Sequence, residues 1–138
     1  MATNDPEWIE DCVAEYVGEL GGKRSEDAWH ALIELGPAGL PHLIRAFEAA
    51  RDRRVAVELI TIVNELRTPS ALPFLTERLR SGETAIWQAA LDGIVQLGIV
   101  TVGGGAAAEC LRTLRPTLDA EKQRWIDEAL EQIEAGGA

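Results

Sequence analysis

Leu35-Gly36-Pro37-Ala38-Gly39-Leu40-Pro41-His42-Leu43 returns, with substitutions, as Leu66-Arg67-Thr68-Pro69-Ser70-Ala71-Leu72-Pro73-Phe74-Leu75. The leading leucines are 31 residues apart, and the Leu-Pro-x-Leu ends are 32 apart. Each copy reads as the end of one helix, a tight turn, and the start of a partner helix. Proline is tolerated in a first helical turn, because the amide it lacks has no intrahelical acceptor there. A helical hairpin that recurs at a fixed interval is the sequence mark of a stacked-repeat protein.

Working outward, four apolar columns keep the same interval through a third copy. They are Leu35, Leu66 and Leu97; Leu32, Val63 and Ile94; Ala28, Leu59 and Ala90; and Trp29, Ile60 and Leu91. Apolar spacing at i, i+3, i+4 and i+7 predicts first helices over about 26–35, 53–66 and 84–97, and partner helices over about 39–50, 69–80 and 106–115. Ser25 is the predicted cap of the helix at 26. Ile9, Cys12, Val13, Tyr16, Val17 and Leu20 predict a helix over about 6–20, with Pro6 in its first turn and Gly21-Gly22 at its end. Ile126, Ala129, Leu130 and Ile133 predict a last helix over about 119–134. The third copy departs from the pattern. After Gly98 come the β-branched run Ile99-Val100-Thr101-Val102 and the glycines Gly103-Gly104-Gly105, and the helix that follows aligns with the second partner only at a shift of 35. The expectation is eight helices in about four hairpins, forming a single domain over 1–138. Residues 1–24 and 116–138 are read as capping helices, and 25–115 as three repeats.

These residues carry a family resemblance. The Leu35–Leu43 segment, its copy at Leu66–Leu75 and the period near 31 are similar to short bacterial HEAT-type repeats, the kind also seen in phycobilin lyases. The resemblance covers about residues 26–98. It implies an all-α, right-handed α-solenoid, a HEAT/armadillo-like superhelix that serves as a binding scaffold. It also implies that partner helices line a concave face where partners bind. A fold does not confer a reaction, so chemistry has to be argued from individual residues.

Composition narrows that argument. The chain has 138 residues and a formal charge of −10, which disfavours nucleic acid, since affinity for phosphate backbones comes mainly from Lys and Arg. A repeat-type DNA-binding protein is therefore a disfavoured reading. Residues 1–34 hold nine acids against Lys23 and Arg24, a net of −7. Residues 119–138 hold six acids against Lys122 and Arg124, a net of −4, while the middle is near balance. Acidic terminal helices suit the polar outer faces that a solenoid needs, and they would also steer a basic partner. No apolar run is long enough to span a bilayer, and the start has no secretory signal pattern, so a cytoplasmic location is expected. Cys12 and Cys110 fall within apolar stripes and read as small buried hydrophobes.

Enzyme signals are weak. Gly103-Gly105 precedes a helix, but no Lys-Ser/Thr follows it, so the phosphate-loop pattern fails. His30 and His42 lack metal-ligand spacing, and no local motif pairs a nucleophile with a base. The expectation is a protein without catalysis, cofactor or metal.

On the partner helices, a one-sided helical wheel places Leu40, Leu43, Ile44 and Phe47 inward and His42 outward, with Phe74 in the same outward position. With Arg45, Arg78 and Arg112, these two form the candidate partner-binding ridge that the resemblance implies: His42, Arg45, Phe74, Arg78 and Arg112. An aromatic flanked by arginines has the composition of an interface hot spot. Arg51, Arg53, Arg54, Arg80 and Arg115 sit at helix ends, where the macrodipole favours cations. Trp29 and Trp87 read as core, and Trp8 and Trp125 as flanking positions. The resulting expectation is a protein-protein interaction module (an adaptor, regulatory subunit or immunity-type inhibitor), with a basic protein as the charge-matched partner. The alternative is a ligand-handling or lyase-like protein with a small-molecule pocket.

Overall fold

The computed structural model describes residues 6–100 and 105–136. Among them are eight α-helices, three short 3-10 turns and no strand. The helices are α1 (Pro6–Glu19), α2 (Ser25–Glu34), α3 (Leu40–Ala49), α4 (Arg53–Leu66), α5 (Leu72–Arg78), α6 (Thr84–Val100), α7 (Gly105–Leu114) and α8 (Ala120–Gly136). The chain divides into two compact units, Met1–Leu66 and Arg67–Ala138, and the division falls between the end of α4 and the turn that precedes α5.

In the first unit, α1 packs on α2 and α3, and α4 packs on α2 and α3. Leu32, Leu43, Leu59 and Val63 lie in its interior, each at most 1% exposed. Burying a side chain of this size contributes about 1.5–3 kcal/mol, which explains why the repeated columns specify the helices. The hairpin turn works as its sequence suggests. α2 ends at Leu35, Gly36 takes a left-handed φ of 67°, and a 3-10 turn over Gly36–Gly39 leads into α3 with Pro41 near its start. Ser25 does not cap α2. Its Oγ accepts a hydrogen bond from the Gly21 amide, and the cap position is Arg24, which makes no side-chain cap bond.

In the second unit, α5 packs on α6 and α7, and α8 packs on α6 and α7, with α6 also against α7. Its entry turn reuses the register of the first hairpin. Arg67, aligned with Gly36, has a left-handed φ of 49°. A 3-10 turn over Pro69–Ala71 then leads into α5, with Pro73 near its start.

The third copy departs from the sequence expectation. α6 does not stop at Gly98 but runs to Val100. A Cβ on Gly98 would lie 2.8 Å from Ile133 Cδ1 and Cγ1, and a Cβ on Gly136 would lie 3.0 Å from Ile99 Cγ1. The ends of α6 and α8 therefore approach through two reciprocal glycine–isoleucine contacts. Thr101–Gly104, which include most of the predicted glycine loop, lie outside the described residues.

Two core assignments change. Trp87 is buried, but Trp29 is only half-buried, its ring edge-on to His30 at 5.3 Å. Cys12 and Cys110 are free thiols, half-buried rather than enclosed. No helix among the described residues is long and apolar enough to cross a membrane.

Candidate docking grooves

The first unit carries an open groove of about 390 Å³ between α1 and α3. Its apolar lining is Val13, Ala14 and Val17 from α1, Ala46, Ala49 and Ala50 from α3 and the residue after it, and Val55 from α4. Its polar lining is Glu10, His42, Arg45, Arg51 and Asp52. The backbone explains this arrangement. Small residues at 46, 49 and 50 keep α3 thin where it faces α1, so the wall is recessed. The helix then ends at Ala50 in an extended conformation, which brings Arg51 and Asp52 to the rim.

His42 and Arg45 are one turn apart, and Arg45 Nη2 stands 2.8 Å from His42 Nδ1. A guanidinium can only donate, so His42 accepts at Nδ1 and the neutral imidazole carries its proton on Nε2. His42 is only 9% exposed, contrary to the outward position expected for it, while Arg45 is exposed. The pair is thus a fixed polar corner beside the groove's apolar wall. Around it, Asp52 Oδ1 accepts from the Arg54 amide and anchors the start of α4, and Arg53 Nη2 donates to the Ala50 carbonyl. The last bond gives the arginines at this turn a helix-terminal role.

Phe74 is also only 9% exposed, which corrects the outward placement read from the helical wheel. The half-buried Arg78 guanidinium lies over its ring, 5.0 Å from the centroid. Desolvated cation–π contacts of this kind stabilise by about 1–2 kcal/mol, so within α5 the pair acts as packing. Arg112 on α7 is exposed and reaches Glu134 of α8 at 3.6 Å. The five expected residues thus resolve into a groove-lining pair, a packed pair and one arginine in a surface ion pair with Glu134.

Sequence reasoning did not find the groove between α5 and α7. It measures about 450 Å³ and is lined mainly by apolar surface. Thr76 comes from α5 and Arg80 from the turn after it, Glu109, Cys110 and Thr113 come from α7, and Thr117 follows. Arg80 pairs with Glu77 at 3.7 Å, and Thr76 Oγ1 donates to the Leu72 carbonyl. The repeat alignment held a usable signal, because Thr113 aligns with Arg78 at the shift of 35, but only packing shows which side of α7 stays open.

A bidentate ion pair lies elsewhere. Arg115 donates through Nε to Asp127 Oδ1 at 2.7 Å and through Nη2 to Oδ2 at 2.9 Å. This bidentate bond lowers the Asp127 pKa and raises that of Arg115, with Coulomb attraction acting in the same direction. No cluster of three or more His, Cys, Asp or Glu side chains able to hold a metal occurs among the described residues. No protein-family model, curated protein or solved structure matches the chain.

Proposed function

We propose that this chain is a non-catalytic protein-docking module, a right-handed solenoid of HEAT-type hairpins, whose contact surface in the first unit is the groove between α1 and α3. The observation that carries the reading is the groove itself: an open apolar trough with a pre-oriented corner, buried His42 beside exposed Arg45, and charged residues on its rim. Its volume falls within the range of small-molecule sites, about 300–1,000 Å³, but those sites bury most of the ligand, whereas this trough opens to solvent. An apolar side chain from a partner segment would fill the trough, and the Nε2–H of His42 and the guanidinium of Arg45 would fix its register. Buried anchors supply most of the energy in such contacts, and rim charges tune the rate and specificity of association. The solenoid part rests on the 31-residue columns and on both units repeating one pattern of helix neighbours.

The test is co-purification from cells that produce the tagged chain. A discrete partner should accompany the wild type and a Glu34→Lys control. It should be lost from Ala46→Glu, which puts a charge on the groove wall, while the melting temperature of that variant stays within a few degrees. Retention of the partner by Ala46→Glu would refute the groove assignment.

The second reading, ligand handling, is favoured by the roomier and more apolar α5–α7 groove, where Cys110 is half-buried. Saturable binding of an apolar fluorescent dye that is displaced by alkylation of Cys110 would support it.

A further inference from the structure

We propose that the α6–α8 face of the second unit carries a separate docking pocket for an arginine side chain presented by a basic protein segment. A pocket of about 200 Å³ lies between these helices, lined by Leu91, Asp92 and Val95 of α6 and by Trp125, Glu128 and Ala129 of α8. That volume admits one long side chain and falls below the usual range for small-molecule sites, about 300–1,000 Å³. The floor is aliphatic, which suits the methylene stem of an arginine.

The aromatic wall is the second observation. Trp125 is 43% exposed although it sits within a well-packed helix. Its ring meets the buried ring of Trp87 at right angles, with centroids 5.5 Å apart. Trp87 already has a cation of its own, since Lys122 Nζ lies 5.7 Å from its centroid and donates to the Ser81 carbonyl at 2.8 Å. The inner indole is therefore served within the protein, and the outer indole presents its surface to solvent.

Charge completes the argument. The two charged residues of the lining are both carboxylates. Asp92 accepts from the amide of Gln96, a neutral donor that brings no compensating charge. Elsewhere on α8, Asp127 is neutralised by Arg115 and Glu134 by Arg112. Among the described residues no cation pairs with Glu128 in this way. The surrounding 119–138 segment is net −4, and the chain is −10. A planar guanidinium can stack on an exposed indole while it donates to flanking carboxylates, which a compact ammonium does less well.

The pocket does not depend on the α1–α3 reading, and it can be tested without knowing the partner. The probe is a short peptide with one arginine between leucines, compared with the same peptide carrying citrulline, which keeps the shape and removes the charge. The full chain is titrated at low salt while the four tryptophan indole N–H signals are followed by NMR. The arginine peptide should shift the Trp125 signal saturably, and the citrulline peptide should not. Asp92→Asn combined with Glu128→Gln, both surface changes whose folding is checked by circular dichroism, should weaken binding about tenfold. Equal shifts from the citrulline peptide, or shifts confined to the other three indoles, would overturn the pocket. A lysine peptide that binds as tightly as the arginine peptide would overturn the arginine assignment.

Discussion

The two units share a packing plan and differ in what they do with it. In the first, α1 and α4 each contact both α2 and α3; in the second, α5 and α8 each contact both α6 and α7. Each leaves a groove between its first and third helices. In the first unit that groove holds the His42–Arg45 corner, with His42 buried and Arg45 exposed. In the second, polar side chains tie distant elements together instead, as in Lys122 to Ser81, Arg115 to Asp127 and Gln123 to the carbonyls of Arg115 and Leu118. The lesson is that the apolar columns fix the scaffold, and the residues between them decide whether a face stays an open groove or is tied down by polar bonds.

The sharpest way to break this comparison is to truncate the two aligned residues, Phe74 and His42. Phe74→Ala should cost about 3 kcal/mol, because it removes a packed ring and its contact with Arg78. His42→Ala should cost about 1 kcal/mol, the worth of one hydrogen bond, and weaken docking. Denaturant midpoints measure both. A Phe74→Ala cost near zero would return the ring to the surface and remove the contrast.

Gly98→Ala comes next. The new Cβ would collide with Ile133, which is only 2% exposed and has little room to move. Overpacking of this kind costs about 1–3 kcal/mol and outweighs the gain of about 1 kcal/mol in helix propensity. Thermal unfolding should show a net loss that Ile133→Val partly restores; a stabilised Gly98→Ala would show that the approach of α6 and α8 is loose.

Arg67→Gly should act in the opposite direction. Arg67 holds a left-handed conformation that costs a non-glycine residue about 1–2 kcal/mol, partly offset by the greater chain entropy that glycine loses on folding. The variant should gain up to about 1 kcal/mol in denaturant unfolding, and a loss would mean that the arginine side chain has a role the turn geometry does not show.

The smallest effect concerns pH. Binding to Arg115 lowers the Asp127 pKa in the folded chain below its unfolded value of about 3.9. The pair therefore favours folding above that pH, and its contribution disappears as pH falls through the folded value. The stability gap between wild type and Asp127→Asn should be present at pH 7 and close in strong acid. A gap that does not change with pH would remove the pair from the list of ties in the second unit.

Much of the fold was legible because the strongest local signals agree with the packing. The columns at Leu32, Val63 and Ile94 are all buried, and the turn at Gly36 recurs at Arg67 in the same backbone state. Gly98 misled because a glycine after a helical leucine reads locally as a stop. Ile133, 35 residues later, needs the missing side chain, and periodicity does not report contacts at that range. The orientations of His42 and Phe74 failed for a related reason. α3 packs on both α1 and α4, and α5 on both α6 and α7, so these helices bury more than one face, and a one-sided wheel assigns the second face to solvent. The exposed Trp125 could be seen only as a residue flanking its stripe, and its pocket depends on α6 supplying Asp92 across from it.

Site-specific photo-crosslinking tests the docking claim most directly. A benzophenone side chain replaces Ala49 on the groove wall in one variant and the exposed Glu34 of α2 in another, and both are irradiated in the producing cells. The account predicts one discrete crosslinked protein from position 49 and none from position 34. Crosslinks of equal yield from both positions, or from position 34 alone, would contradict it.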